Sequence, residues 1–284
     1  MPSELKQKIQ DTVFCDLFKI PENQLMLFND IHPELPDVTV DSITYSTLTP
    51  VFINQEYNDF SMVVQDKFMV FVEAQSGWSW NILPRILIYA AQSYKEYIDE
   101  KGLYIYGTSP IPLPLPEIYV VFTGERKDVP ETISFSEAFF GGVDTSIEVR
   151  ANMIHDPDGK GIICEYIYFT KVLRAQKKLL GPTRQAIEET IRICQEKGKL
   201  TDYLETRKKE VVTIMEELFD YEKNMSRYVA SEVDAAKAKA RAEEKENTAL
   251  FLLRNNMAIP FIVGATGLSE DQIKQIATRH GLMQ

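Results

Sequence analysis

Two runs, Tyr57-Asn58-Asp59-Phe60-Ser61-Met62-Val63-Val64 and Phe68-Met69-Val70-Phe71-Val72-Glu73-Ala74-Gln75, constrain the chain more than any other stretch. Both are rich in β-branched and aromatic residues, and the polar Gln65-Asp66-Lys67 separates them, a pattern that predicts a β-hairpin. One carboxylate sits near the outer end of each strand. Side chains alternate along a strand, so Glu73 shares a face with Gln75, and Asp59 with Ser61. A three-residue loop pairs Val64 with Phe68 and sets Asp59 opposite Glu73. Opposed residues have Cβ atoms roughly 4.5–5.5 Å apart, close enough for both acids to ligate one hard cation. A two-residue turn pairs Asp59 with Ala74 instead and sends the acids to opposite faces. Acids at strand ends are commonly just solvated, but like charges opposed on one face are destabilising unless a cation or proton lies between them.

After the hairpin, Ser76-Gly77-Trp78-Ser79-Trp80-Asn81 predicts a turn. A helix follows with the apolar stripe Ile82, Leu83, Ile86, Tyr89, Ala90, Tyr94, Tyr97 and Ile98, stopped by Gly102. Pro84 falls in its first turn, where proline is tolerated. Arg85, one turn in, can project toward the end of the preceding strand. Pro110, Pro112, Pro114 and Pro116 make a stiff connector. Glu117 to Thr123, centred on Ile-Tyr-Val-Val-Phe, reads as a strand buried on both faces. Strand, helix, strand in succession implies parallel pairing within an α/β sheet.

The flanks are more helical. Glu4 to Phe18 and Asn23 to Ile31 predict helices, Pro33 to Asp41 a loop, and Ile43 to Phe52 an irregular stretch with short strand character. Ser146 to Ile154 predicts a strand with Ile147, Val149, Ala151 and Met153 on one face. Asp156-Pro157-Asp158-Gly159-Lys160-Gly161 predicts a turn, and it lacks the alternating acids of a calcium loop. From Ile162 the chain is helical, broken at Gly181-Pro182-Thr183 and Glu196-Lys197-Gly198-Lys199. Asp220 to Asn247 is Ala-rich and charged nearly all round, as expected of a solvated helical linker. Thr248 to Gln284 is compact, and Ser269 to Gln272 fits a capping box. Sparse basic residues there favour a small helical cap or dimerisation piece over a helix-turn-helix. The expected boundaries are a core over 1–175, a helical extension over 176–220, a charged linker over 221–247 and a helical C-terminal domain over 248–284.

The formal net charge of −11 argues against broad, non-specific polyanion binding, which rests on many Lys and Arg contacts to phosphate. It leaves room for a nuclease that approaches DNA through divalent cations and a local basic strip. No apolar run approaches the roughly 20 residues of a membrane span. The first residues lack the apolar core of a signal peptide, so a cytoplasmic protein without membrane contact is expected. Cys15, Cys164 and Cys194 lie far apart without metal-ligand spacing and read as reduced packing residues. Three equally dispersed histidines give little support to a zinc site or a Ser-His-Asp triad.

Taken in order, Asp11-Thr12-Val13-Phe14 with Leu17-Phe18, Asn58-Asp59-Phe60-Ser61, Glu73-Ala74-Gln75-Ser76, Leu83-Pro84-Arg85 with Tyr89, Pro116 to Gly124, and Gly267-Leu268-Ser269 resemble a known family. It is the Rpn family of recombination-promoting nucleases, also described as PD-(D/E)XK nuclease family transposases. The likeness runs from about Asp11 to the C-terminus. It implies an α/β, restriction-endonuclease-like αβββαβ core with a mixed sheet, followed by a helical C-terminal region. It also implies Mg²⁺-dependent hydrolysis of phosphodiester bonds in double-stranded DNA. On this resemblance Asp59 and Glu73 are catalytic Mg²⁺ ligands and Gln75 takes the third catalytic position, where many PD-(D/E)XK enzymes have lysine.

A glutamine amide can orient the attacking water but cannot titrate, so deprotonation falls to the metal. Arg85 is the candidate phosphate contact, Lys95 a candidate displaced lysine and Asp11 a candidate third carboxylate. The expected function is a DNA endonuclease of low sequence selectivity in recombination or mobile-element biology, with a homodimer through the C-terminal helices among the expected partners. The alternatives are a nuclease-like fold that no longer cleaves and regulates by binding DNA or protein, and an oligomeric scaffold built through the tail.

Overall fold

A computed structural model describes residues 12–47 and 59–282, with residues 46, 47 and 59 described by their backbone alone. The expected helix start at Glu4, and the stretch from 48 to 58 with Tyr57 and Asn58, lie outside the described residues. Up to Phe219 the chain forms one unit. Helices α1 (Val13–Phe18) and α2 (Pro21–Ile31) precede strands β1 (Ile43–Thr47), β2 (Asp59–Val64) and β3 (Phe68–Gln75). Then come α3 (Ile82–Glu100), β4 (Leu115–Phe122), β5 (Thr132–Ser134), α4 (Phe135–Phe140) and β6 (Arg150–Ile154). Helices α5 (Ile162–Leu180), α6 (Arg184–Glu196) and α7 (Thr201–Thr206) lead to α8 (Lys208–Arg254).

The six strands form one mixed α/β sheet in the order β1-β2-β3-β4-β6-β5. The first three pair antiparallel, β3–β4 and β4–β6 are parallel, and β5 returns antiparallel to β6.

The hairpin takes the register of a three-residue loop, with Val64 opposite Phe68 and Asp59 opposite Glu73. Gln65 and Asp66 both adopt left-handed backbone, φ 53° and 54°, and the Lys67 N–H closes onto the Val64 carbonyl at 2.9 Å. Two left-handed residues in succession match the natural twist of paired strands. Neighbours hold the loop in place: the Gln65 N–H donates to the Ser42 carbonyl and the Leu115 N–H to the Lys67 carbonyl. The Asp66 carboxylate takes the Lys101 ammonium at the far end of α3.

Alternation along β3 divides the core. Val70, Val72 and Ala74 join Phe60, Met62, Val64 and Val121 in a cluster with Phe14 and Phe18 of α1, Leu27 and Phe28 of α2, and Ile167 of α5. On the opposite face Met69 and Phe71 pack against Tyr89 and Tyr97 of α3, while Val120 and Phe122 pack against Ile82, Leu83 and Ile86. Full burial of such side chains stabilises by about 1.5–3 kcal/mol each, so both helix layers are held by the sheet between them. Gly102, at φ 61°, ends α3 and lets the Leu103 N–H return to the Ile98 carbonyl. The segment after α5 belongs to the same core: Ile187, Ile191, Cys194, Leu204, Val211 and Met215 pack into the cluster that holds Val70 and Val72.

The expected strand from Ser146 forms only from Arg150. Val149, Ala151 and Met153 are buried as the alternation requires, but Ile147 is exposed. Glu148 leaves the strand path because its carboxylate accepts the N–H groups of Phe135 and Ser136 at the start of α4. Neither α4 nor β5 is apparent in the sequence pattern, since each is shorter than a period-based reading resolves.

Two polar ties join distant segments. Asp16, buried on α1, accepts two hydrogen bonds from Arg207, at 2.8 and 2.6 Å, and one from the Tyr203 hydroxyl at 2.8 Å. Asp30 at the end of α2 accepts the Ile162 N–H and so caps α5 from outside. Gly161 reaches this cap at φ 96°, where a Cβ would strike the Asp30 carboxylate.

From Asp220 to Gln284 the chain forms a second unit. It comprises the remainder of α8, then α9 (Ile259–Thr266) and α10 (Glu270–Arg279), around the buried Ala249, Ile262, Ile273 and Ile276. Residues 226–245 are exposed throughout, as a solvated charged helix should be. The Ser269–Gln272 capping box forms in both directions. No described helix is long and apolar enough to cross a membrane.

Asp16→Ala leaves Arg207 and Tyr203 without their partner and is expected to cost about 3 kcal/mol of unfolding free energy in urea titrations. A second expectation concerns His32, whose ring nitrogens face Glu34 and Glu117 at 2.8 Å each. Burial opposes the imidazolium, but the hydrogen bonds to the two carboxylates outweigh it and raise the His32 pKa above its ordinary value. Stability from this site is therefore full below about pH 6.5 and lost as pH rises through the raised value. The stability advantage of wild type over His32→Gln should be largest near the acid end of that window and shrink in alkaline buffer.

Candidate functional site

Glu73 is the sixth residue of β3 and lies on the face that α3 covers, beyond Met69 and Phe71. The turn from Ser76 to Asn81 brings α3 back along that face, and Arg85 on its first turn forms an ion pair with Glu73. Both side chains are largely sequestered, the carboxylate 7% and the guanidinium 26% exposed. The Arg85 guanidinium engages Glu73 Oε1, whereas Glu73 Oε2 and Arg85 Nε are buried without a hydrogen-bond partner among the described residues. A buried polar atom left unsatisfied costs about 1–3 kcal/mol.

The backbone of Asp59 is the register partner of Glu73, and opposed residues of an antiparallel ladder belong to one face. Gln75 ends β3, half-buried, and its carbonyl accepts the N–H and hydroxyl of Thr123 at 2.9 and 3.4 Å. Asp59, Glu73, Gln75 and Arg85 are thus gathered where β3 ends and α3 begins. Lys95 is not with them. It lies ten residues along α3 from Arg85, about 15 Å in helical rise, and pairs at the exposed surface with Asp99 at 2.7 Å. Asp11 lies outside the described residues.

Among the described residues no three His, Cys, Asp or Glu side chains converge as a metal cage. Two carboxylates nonetheless suit Mg²⁺, which keeps several waters and is commonly held by one or two carboxylates together with substrate phosphate.

Beside Gln75 the carboxyl ends of β4 and β6 open into a cleft of about 680 Å³. The turn after β4 supplies Arg126 and Lys127, and α5 supplies Lys171, Arg174 and Lys178. These cations are absent from the reading of the sequence. Their signal is the spacing of 171, 174 and 178, which puts all three on one stripe of a helix. Gly124 keeps the turn close to the site, since a Cβ there would strike the Ser76 carbonyl and the Phe122 ring.

No protein-family model, curated protein or solved structure matches the chain.

The ion pair can be tested by stability alone. Arg85→Ala leaves Glu73 buried and unpaired and should lower unfolding free energy by about 3 kcal/mol. In a double-mutant cycle, Glu73→Ala combined with Arg85→Ala should cost less than the sum of the single changes, by about 1 kcal/mol or more.

Proposed function

We propose that this chain is a Mg²⁺-dependent endonuclease of double-stranded DNA with a restriction-endonuclease-like αβββαβ core, acting in recombination or mobile-element biology. The observation that carries the reading is the pairing of Asp59 with Glu73 across β2 and β3, with Gln75 two residues further on. The element order supports it: helix, β1, β2, β3, α3 and then β4 parallel to β3. The Rpn resemblance supplies the expected role of each residue.

The donor set fits a hard cation: Glu73 Oε2 is buried and has no partner among the described residues, and Asp59 is opposite in register. When bound, Mg²⁺ supplies a water acidified for attack and positive charge beside the phosphate. Glu73 contributes one oxygen to this site while Arg85 holds the other. The Gln75 amide would donate or accept a hydrogen bond to orient water and, having no titratable proton, would not itself act as the base. Arg85 places beside the phosphate the positive charge that a lysine at position 75 would have brought. Packing of α3 over the strand keeps Glu73 and Arg85 largely out of bulk solvent, and charges act more strongly on one another in that less polar setting.

One observation favours a second reading, a nuclease-like fold that binds without cleaving: Arg85 already neutralises Glu73 from within the protein.

Supercoiled plasmid incubated with Mg²⁺ separates the two. Wild type is expected to nick, chelator to abolish nicking, and Asp59→Ala or Glu73→Ala to slow it by about a hundredfold or more. Nicking that persists in both variants removes the site assignment. A wild type inert with several divalent ions establishes the non-cleaving reading.

A further inference from the structure

The cleft at the ends of β4 and β6 stands apart from the rest of the molecule in charge. Its lining carries five Lys or Arg side chains, with His155, against the acids Glu125 and Asp156. The whole chain carries 31 Lys and Arg against 42 Asp and Glu. Part of this positive charge is already used. Arg126 forms two 2.9 Å hydrogen bonds with Asp128 while its guanidinium lies 4.0 Å from the Trp78 ring centre. Lys178 pairs with Glu125 at 2.7 Å. Arg174 donates to the Thr123 carbonyl at 2.6 Å. Glu125 also feels the charge of Arg174, so Lys127 and Lys171 are the two cleft cations without an ion pair among the described residues, and Arg174 shares Glu125 with Lys178.

That surface adjoins the paired-acid site. Phe122 is the register partner of Gln75 in the β3–β4 ladder, and Thr123 bridges the Gln75 carbonyl to Arg174. Crevices outside the carboxyl ends of parallel strands are where open α/β sheets bind ligands. The lining also indicates what kind of polyanion fits. Single-strand binders stack bases on exposed aromatic rings, but Phe122, the aromatic residue of this lining, is 3% exposed. Lys and Arg side chains along the rim of an open cleft suit the phosphates of a double helix, which are contacted without reading the bases.

We propose that the cleft between the turns after β4 and β6 and helix α5 binds the phosphodiester backbone of duplex DNA, with Lys127, Lys171 and Arg174 as its phosphate contacts. The proposal rests on the endonuclease reading for the identity of the polyanion, and it adds the surface that leads the strand to Gln75. An acidic protein needs such a local strip, because its overall field repels DNA.

The test is binding of full-length protein to a short fluorescent duplex in chelator, followed by anisotropy over a series of salt concentrations. Lys127→Glu/Lys171→Glu should weaken binding at least tenfold and reduce the slope of log affinity against log salt by about two. Lys127→Gln/Lys171→Gln should do the same more mildly, which separates lost contacts from misfolding. Lys67→Glu/Lys95→Glu carries the same charge change elsewhere and should leave affinity close to wild type. Equal effects of the cleft and control pairs, tighter binding to single-stranded than to duplex DNA, or no binding by wild type would each overturn the proposal. Plasmid nicking keeps the two readings distinct. Unchanged DNA binding in the cleft variants with nicking intact sinks the cleft alone. Cleft-dependent binding by a protein that never nicks sinks the nuclease alone.

Discussion

Two left-handed residues, Gln65 and Asp66, set the offset of β2 against β3, and much else in the first unit follows from that offset. Strand side chains alternate with period two, so a slip of one residue would exchange the faces of an entire strand. Val70 and Val72 would then leave the cluster of α1, α2 and α5, and Glu73 would be driven among apolar rings. The cost of such an exchange is the burial energy of several large side chains plus that of an uncompensated carboxylate. Docking of Asp66 onto Lys101 and of Lys67 onto Leu115 ties the same turn to the end of α3 and the start of β4. Hairpin register and crossover geometry are therefore one constraint.

That constraint creates an electrostatic problem and partly answers it. A nearly buried carboxylate at position 73 is unfavourable unless a positive charge accompanies it. Arg85 supplies one, because α3 starts close to the end of β3 and runs back over it. Among the described residues the answer is incomplete: one carboxylate oxygen and one guanidinium nitrogen have no hydrogen-bond partner there. A pair balanced only for stability would gain by closing these vacancies or by being replaced with apolar residues. Their persistence beside a second acid in register is what gives the metal-dependent reading its physical content.

Much of the first unit was legible from the residues. The polar Gln65-Asp66-Lys67 between apolar runs predicted the hairpin and left two loop lengths open, of which the three-residue one, with Asp59 opposite Glu73, is the one that forms. The stripe from Ile82 to Ile98 with Gly102 beyond it, and the apolar run through Val121, predicted the crossover. The Ser269 capping box was legible for the same reason: its chemistry is local, within one helical turn. Short elements escaped, since α4 and β5 depend on Glu148 reaching back to Phe135 and Ser136 rather than on any periodic pattern. The basic cleft escaped because its cations come from segments more than forty residues apart in sequence, Arg126 and Lys127 on one side and Lys171 to Lys178 on the other.

By itself the sequence determined the hairpin and the strand–helix–strand succession, and it narrowed the register to two, because each depends on alternation, turn length or caps acting within a few residues; the structure chose the register that sets Asp59 opposite Glu73. Only the tertiary structure decided what surrounds those acids. It put Arg85 rather than Lys95 against Glu73, because α3 begins at the end of β3 and carries Lys95 about 15 Å further along. It also set a positive cleft next to Gln75 in an acidic chain, because the parallel pairing of β3, β4 and β6 brings their carboxyl ends to one edge, where α5 adds its basic stripe.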